Sequence, residues 1–400
     1  MAIAHQDQKF SLAGDLAQEE NDLSCLVNRQ RAWVEIDLDA LAHNVRTLKN
    51  FLNPQTKLMA VVKADAYGHG AKIVAQTALD NGADCLAIAT LAEGVELRQA
   101  GIKAPILILG AINAVEDIKA VAMWQLEPTI CNQDQAKVFD RTLDELGVTL
   151  SVHLKLDTGM SRLGTNWQDA TDFVPLVKSL PNLQIASIYS HFSTADERDR
   201  TVMDLQHRRF QAAIEQLKAL DCLPPQLHLA NSAATLCDRS THYDLVRVGL
   251  ALYGLYPAPH LSGSLKLKPV LQVKARIAQV KTIPPGEGVS YGRRFITDNE
   301  TKIAVVGIGY ADGIPRNLSN QLQAIVSGKL VSQIGSITMD QLMLNVDDVT
   351  DLQPGDVVTM LGQSGDLNIT AEDWANKLDT ISWEILCSFK HRLPRINVGR

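Results

Sequence analysis

The sequence predicts an α/β protein, an N-terminal (β/α)8 TIM-type barrel followed by a smaller, mainly-β C-terminal domain. Two contrasting patterns and the break between them carry this expectation. As far as about residue 250, short apolar runs alternate with helix-length segments, which implies parallel βαβ units. Beyond residue 262, strand-like runs follow one another with only turn signals between them. The breaker-rich stretch Tyr256-Pro257-Ala258-Pro259-His260-Leu261-Ser262-Gly263 separates the two styles. The expected organisation is an N-terminal extension over 1–30, a barrel over 31–262 and a β-domain over 263–400.

The barrel strands are expected at Leu58–Val62, Cys85–Ala89, Ile106–Leu109, Trp124–Ile130, Thr149–Leu156, Ile185–Ser190, Gln226–Ala230 and Leu245–Val248. The fourth is the weakest, because Pro128 interrupts it. Spacing of the 3.6 type predicts helices over Ala71–Asn81, Leu91–Ala100, Gln133–Leu146 and Thr201–Leu220. An open doubly wound sheet would usually carry G-x-G-x-x-G after its first strand, and Tyr67-Gly68-His69-Gly70 does not match. In the second half, strands are expected at Val270–Ile283, Thr301–Ile308, Gln323–Ser327, Gln341–Val346 and Asp356–Leu361. One helix, Ala371–Leu378, is expected after Thr370, with Asp373 at capping-box spacing.

Composition narrows the function classes. Hydrophobic residues at 46% and charged residues at 21% fit a soluble globular chain with a sizeable core. The net charge of −7 and the dispersed Lys and Arg residues argue against a nucleic-acid partner. No window approaches 18 apolar residues, and Met1–Asp7 lacks the basic and apolar regions of a secretory signal. A cytoplasmic protein with no membrane partner is expected. The six cysteines (Cys25, Cys85, Cys131, Cys222, Cys237 and Cys387) form no CxxC pair. Reduced thiols are expected, without a disulfide framework or a metal site.

The most informative residue is Lys63, which ends the apolar run Leu58–Val62. Burying an ammonium costs several kcal/mol (on the order of) unless it is paired or deprotonated. A deprotonated lysine is the amine that forms Schiff bases with carbonyl cofactors. In such barrels chemistry sits at the C-terminal strand ends. There the sequence places Lys63, Lys155 with Asp157, Arg162 in the loop Thr158–Gly164, His191, His228 with Asn231-Ser232, and Arg247 with Gly249. Ser232 and the amides of Gly249 and Leu250 occupy the position of a phosphate cradle after strands seven and eight. Pyridoxal 5′-phosphate, which has both an aldehyde and a phosphate, meets both requirements. Singly, each residue has a plainer reading. Lys63 pairs with Asp65 or Glu93, Arg247 forms a structural ion pair, and Ser232 caps a helix. His191 and His228 are satisfied core histidines, and Lys155 with Asp157 is an exposed pair.

Several motifs carry a resemblance. They are Ala60-Val61-Val62-Lys63-Ala64-Asp65-Ala66-Tyr67-Gly68-His69-Gly70, the run Lys155–Gly164, Tyr189-Ser190-His191-Phe192, Asn231-Ser232-Ala233 and Val246–Leu250. Further on are Gly288–Gly292, Gly309-Tyr310-Ala311-Asp312-Gly313 and Thr338-Met339-Asp340. From about Arg31 to Pro394 the chain resembles the alanine racemase family of fold-type III pyridoxal-phosphate enzymes. The resemblance implies that Lys63 joins the cofactor covalently and is one catalytic base. Tyr291 would be the other base, supplied by a second subunit of a homodimer. Tyr67, Ser232, Gly249 and Leu250 would hold the phosphate, and Arg247 would meet the pyridine nitrogen. Arg162 would contact the phenolic oxygen of the cofactor and the substrate carboxylate, with Met339 of the second chain giving an amide. Lys155 would be a carbamylated lysine positioning Arg162, His191 and His228 would link Tyr291 with Arg247, and Tyr310 would narrow the entrance. One segment departs from the expected pattern: Trp383 stands where a phosphate-binding tyrosine is expected.

The chemistry is consistent with these types. Racemisation of a small amino acid needs a base on each face of the α-carbon, here an amine and a phenol. A tyrosine titrates near pH ~10, so it needs neighbours such as His191 and Arg247 that favour phenolate. A guanidinium cannot accept a proton, so Arg247 would keep the cofactor ring neutral and suppress transamination. The competing readings are a broad-specificity racemase of the same fold and a non-catalytic carrier of the cofactor. The β-domain with Tyr291 argues against the carrier.

Overall fold

The computed structural model describes residues 31–399, and the extension expected over 1–30 lies outside the described residues. The contacts divide the chain into two compact units that change over at Ile36/Asp37 and Val270/Leu271. The first strand, β1 (Ala32–Asp37), therefore goes with the β-rich unit, although it precedes the barrel in sequence. The later changeover falls after the breaker-rich stretch, because Val270 still bonds back to Tyr253 and Asp37 within the barrel unit.

In the barrel unit the parallel strands are β2 (Lys57–Val61), β3 (Cys85–Ile88), β4 (Ile106–Ala111), β5 (Glu127–Ile130), β6 (Leu150–Asp157), β8 (Leu183–Tyr189), β9 (Leu227–His228) and β10 (Leu245–Val248). A two-residue strand, β7 (Thr165–Asn166), pairs alongside β6. Each expected barrel run overlaps one of these strands, with ends that differ by up to two residues in most cases. β10 pairs with β2, and backbone bonds Asp244 N–Leu227 O (3.1 Å) and Arg247 N–Ala230 O (3.0 Å) join it to the β9 segment. The strands read as continuous apolar runs because helices cover their outer face while the barrel interior covers the other. Pro128 is accommodated in β5 because the β4 ladder skips from Ile108 to Ala111 beside it.

The expected helices appear at Ala71–Asp80, Leu91–Gln99, Gln133–Leu146 and Thr201–Ala219. Local caps set their ends. Thr90 and Glu93 form a reciprocal capping box, while Asn132 caps the third helix and Gly147, at φ 66°, ends it. The helix Leu38–Phe51 was not anticipated, yet it carries its own signal, with Asp37 accepting from Ala40 N at its start.

The β-rich unit has β11 (Leu271–Ile283), β12 (Thr301–Val306), β13 (Gln323–Val326), β14 (Lys329–Ile334), β15 (Leu342–Asn345), β16 (Val357–Ser364), β17 (Leu367–Ile369) and β18 (Arg395–Val398). The long β11 is the organising strand. Its first half pairs with β1 and β16, and from Ile277 on, across a register shift at Ile277/Gln279, it pairs with β12. Val289, Ile303, Ile334 and Met343 form a core cluster beneath it. Helix Ala371–Leu378 forms with the Thr370/Asp373 box, while β14 and helix Ser382–Ser388 are additional to the sequence reading.

One buried amide ties the first helix of the barrel to its last segment. Asn44 donates to Leu252 O (3.0 Å) and Lys268 O (2.7 Å) and accepts from Lys268 N (2.8 Å). Asn44→Ala strands these backbone groups and is expected to cost about 2–3 kcal/mol, read as a lower midpoint in urea unfolding.

Candidate active site

The segment after β2 is the most strained backbone in the barrel. Lys63 opens a short helical turn in which Ala64, Asp65, Ala66 and Tyr67 all have φ between 52° and 56°. Left-handed geometry costs ~1–2 kcal/mol per non-glycine residue. A set of specific bonds holds the turn. The Glu93 carboxylate accepts from the amides of Ala64 (2.7 Å), Ala89 (2.7 Å) and Thr90 (3.1 Å). Asp65 accepts from Ala71 N at 2.7 Å. His69 Nδ1 faces the carbonyls of Ala66 (2.9 Å) and Tyr67 (3.0 Å), so that nitrogen carries a proton. The His69 ring lies 4.4 Å from that of Tyr253, whose hydroxyl donates to Val61 O. The carboxylates of Asp65 and Glu93 thus build the turn that presents Lys63.

The same turn points Tyr67 at the end of β10. A Cβ on Gly249 would lie 2.5 Å from Tyr67 Oη, so only glycine permits this approach. Ser232 Oγ accepts from Gly249 N at 2.9 Å, and Leu250 opens the following 3-10 turn. The helix-cap reading of Ser232 is overturned. Asn231 is the cap, accepting from Ala234 N at 3.0 Å, which leaves the serine hydroxyl turned toward Gly249.

Arg247 is 3% exposed. It contacts His228 Nδ1 (2.8 Å) and His191 Nδ1 (3.2 Å) and donates to the carbonyls of Ser190 (2.7 Å) and Leu229 (3.0 Å). No carboxylate of the described residues pairs with it, so the ion-pair reading fails. Burial draws its pKa down to about 10. Burial, then the Arg247 cation, hold both His228 and His191 well below the usual imidazole range, so both are neutral. The core-histidine reading holds for His228, which is fully buried with both ring nitrogens partnered, but not for His191, which is half-buried.

Lys155 is buried, 5% exposed, with its ammonium 4.3 Å from the Tyr189 ring centroid. The exposed-pair reading is overturned, since Asp157 instead accepts from the amides of Gly159 and Ser161. Burial, then Arg247, lower the Lys155 pKa to about 7. Arg162 is exposed in its loop and adds to the same positive field. Lys63, Lys155, Arg162 and Arg247 all act on His191, so the mouth of the barrel is a concentration of cations.

Tyr291, Tyr310 and Met339 belong to the β-rich unit and are exposed, Tyr291 at 74%. Ser336 Oγ donates to Tyr291 O while Ser290 Oγ donates to Ser336 O, pinning the tyrosine's backbone. Tyr310 N and Ala311 N bond to the carbonyls of Thr338 and Met339, joining those two segments. Trp383 lies on helix Ser382–Ser388 of this unit.

Sequence reasoning missed Glu93 as the anchor of the lysine turn, and missed His153, Ser187 and Tyr189. The signal for His153 was present: it stands two residues before Lys155 on β6 and therefore shares the same barrel face. Cys85, Cys131, Cys222, Cys237 and Cys387 are thiols, and no group of metal-binding residues occurs among the described residues. No helix of the described residues is long and apolar enough to cross a membrane.

A lysine on a strained turn, a glycine-serine cradle and a cation-lined barrel mouth, followed by an all-β module, define a two-module barrel enzyme class. Family models of the alanine racemase N-terminal and C-terminal domains match residues 36–257 and 270–397. Alanine racemases of Nostoc sp. and Synechocystis sp. are each 62% identical, covering 92% of this chain and 96% and 99% of those proteins. The structure of an alanine racemase from Clostridium difficile matches with a TM-score of 0.88 at 34% identity, over 92% of this chain and 96% of that one. That of Bacillus anthracis with bound L-Ala-P matches with a TM-score of 0.87 at 37% identity, over 92% and 95%. The chain belongs to the alanine racemase family.

The lowered Lys155 pKa has a measurable sign. Between about 7 and the ordinary lysine value of 10.5 the unfolded chain binds the extra proton, so this group's contribution to stability rises with pH across that window. In CO2-free buffer, Lys155→Met is expected to gain most over the parent protein at pH 6. The gain should shrink by on the order of a few kcal/mol toward pH 10, followed by urea unfolding at each pH.

Proposed function

We propose that this protein interconverts L-alanine and D-alanine with pyridoxal 5′-phosphate, supplying D-alanine for peptidoglycan. The observation that carries this reading is the buried, carboxylate-free Arg247 beside the Tyr67–Gly249–Ser232 cradle. A buried guanidinium with no carboxylate partner fits an anionic ligand, and a cradle that a single Cβ would fill fits a close approach to backbone amides. The residues present therefore fit the cofactor. Tyr67, Ser232, Gly249 and Leu250 would hold its phosphate, Arg247 its ring nitrogen and Arg162 its phenolic oxygen. Bound there, the cofactor supplies the electron sink that acidifies the substrate α-proton.

The chain's own residues do the proton work. Lys63 would hold the cofactor and exchange the α-proton on one face of the substrate. Tyr291 would exchange it on the other, from a second copy of the chain that also brings Met339. Arg162 would orient the substrate carboxylate, Tyr310 would narrow the entrance, and His191 and His228 would link Tyr291 with Arg247. The neutral amine of Lys155 is the form that captures CO2, and a carbamate there would give Arg162 an anionic partner. Arg247 donates only, so it leaves a ring nitrogen unprotonated and favours proton return over transamination.

Borohydride reduction of the holoprotein followed by peptide mapping should place the pyridoxyl label on Lys63. A label elsewhere, or none, rejects the reading. L-Alanine should racemise faster than L-serine or L-lysine. Lys63→Ala and Tyr291→Phe should each be inactive. Exchanged together they should recover roughly a quarter of parental activity, since half the dimers then hold one intact site of two. Heterodimers without recovery would exclude a site shared between subunits.

A further inference from the structure

The barrel interior carries three polar side chains, Glu127, His153 and Ser187, that the reaction above does not use. Glu127 on β5, His153 on β6, Ser187 on β8 and His228 on β9 lead to Arg247 on β10. The links are Glu127 Oε2–His153 Nε2 (2.8 Å), His153 Nδ1–Ser187 Oγ (2.6 Å), Ser187 Oγ–His228 Nε2 (2.8 Å) and His228 Nδ1–Arg247 Nη1 (2.8 Å). Every member except Glu127 is buried. Glu127 stands at the first residue of its strand, with a side chain 23% exposed. The Tyr189 ring stacks on His228 at 4.6 Å and 5°, fixing the plane of that imidazole.

Proton counting gives the chain a direction. A guanidinium only donates, so His228 Nδ1 must accept and its proton must sit on Nε2. Nε2–H then donates to Ser187 Oγ. The serine's own proton goes to His153 Nδ1, which places the His153 proton on Nε2, where it meets the acceptor-only carboxylate of Glu127. All four bonds run one way, from cation to anion, an order in which each bond polarises the next. A reversed order would set an N–H of His228 against an N–H of Arg247. A doubly protonated His153 would make Ser187 accept from both imidazoles and leave the serine proton without an acceptor in the chain.

We propose that Glu127, His153 and Ser187 are positioning residues for Arg247. The Glu127 carboxylate, at the opposite end of the strands from the catalytic mouth, terminates a one-way donor chain. With the His228 Nε2–H engaged by Ser187, that chain holds the His228 ring and with it the guanidinium in the orientation the cofactor ring requires. The last clause rests on the proposed function; the tautomer assignment does not.

Solid-state 15N spectra of 15N-histidine-labelled holoenzyme test it, with His153→Gln and His228→Gln used to assign the signals. The parent protein should show a protonated Nε2 and an unprotonated Nδ1 at both histidines. Glu127→Gln keeps an oxygen acceptor and should preserve both tautomers, with kcat within about threefold of the parent. Glu127→Leu removes the acceptor of His153 Nε2–H, so it should shift His153 to mixed tautomers while Arg247 still keeps His228 protonated at Nε2, and should lower kcat about tenfold, with KM for alanine changed less than about twofold. Ser187→Ala breaks the chain midway, so adding Glu127→Leu to it should lower kcat no further. A parental His228 or His153 protonated at Nδ1 overturns the proposal, even if Glu127→Leu fails to fold. So does an unchanged His153 tautomer in Glu127→Leu, or losses of kcat that simply add. The expected tautomers in a protein that neither binds pyridoxal phosphate nor racemises alanine would uphold the chain and overturn the role given to Arg247.

Discussion

The structure of the site follows from one constraint, a guanidinium buried in the barrel mouth and satisfied only by neutral acceptors. Arg247 meets two imidazole nitrogens and two backbone carbonyls. A carboxylate there would cancel the charge locally. Without one, the positive field acts outward on everything packed against it, adding to the burial that keeps His191 and His228 neutral and lowers the pKa of Lys155. A buried cation without a counter-ion is costly unless a ligand supplies the missing charge. The Tyr67–Gly249–Ser232 cradle, two residues along from Arg247, is where an anion would do so.

The second constraint is backbone strain, and it is localised for the same reason. Four consecutive left-handed residues after Lys63 are tolerable only because Glu93, Asp65, His69 and Tyr253 each bond the turn or its flanks. The surrounding barrel over-determines the turn, as expected where strain serves placement. One rigid segment thereby fixes two functional side chains, Lys63 at its start and Tyr67 at its end. Gly249 completes the device by lacking the Cβ that would push Tyr67 away.

These features were unequally legible in the sequence. The barrel strands were readable because strands buried on both faces become apolar runs, and the helices because Thr90, Asn132 and Thr370 mark their starts. The candidate site residues stood out because polar side chains at successive strand ends have no packing reason to be there. β1 was hidden, since its partner β11 lies more than 200 residues away and local pattern carries no pairing information. Ser232 was ambiguous because Asn231 and Ser232 are both good caps, and only the folded chain shows which one turns to Gly249. Glu93 was hidden by its ordinary role: its capping box with Thr90 is a local signal, and nothing local says that the same carboxylate also takes the amide of Ala64.

The barrel interior shows why such a fold accepts polar cost. Thr129, His153, Lys155, Ser187, Tyr189, His228 and Arg247 occupy positions that apolar side chains could fill more favourably. Yet each hydroxyl and imidazole nitrogen among them has a partner. Tyr189 and Thr129 share a bond of 2.7 Å, and Thr129 donates onward to Ile108 O. A fully satisfied network allows few alternative arrangements, because moving one donor leaves another unpaired. Apolar packing would tolerate small displacements of the strands and of Arg247 with them, whereas directional bonds do not. The barrel core therefore contributes orientation as well as stability, and carries it from β5 around the sheet to the residue at the mouth.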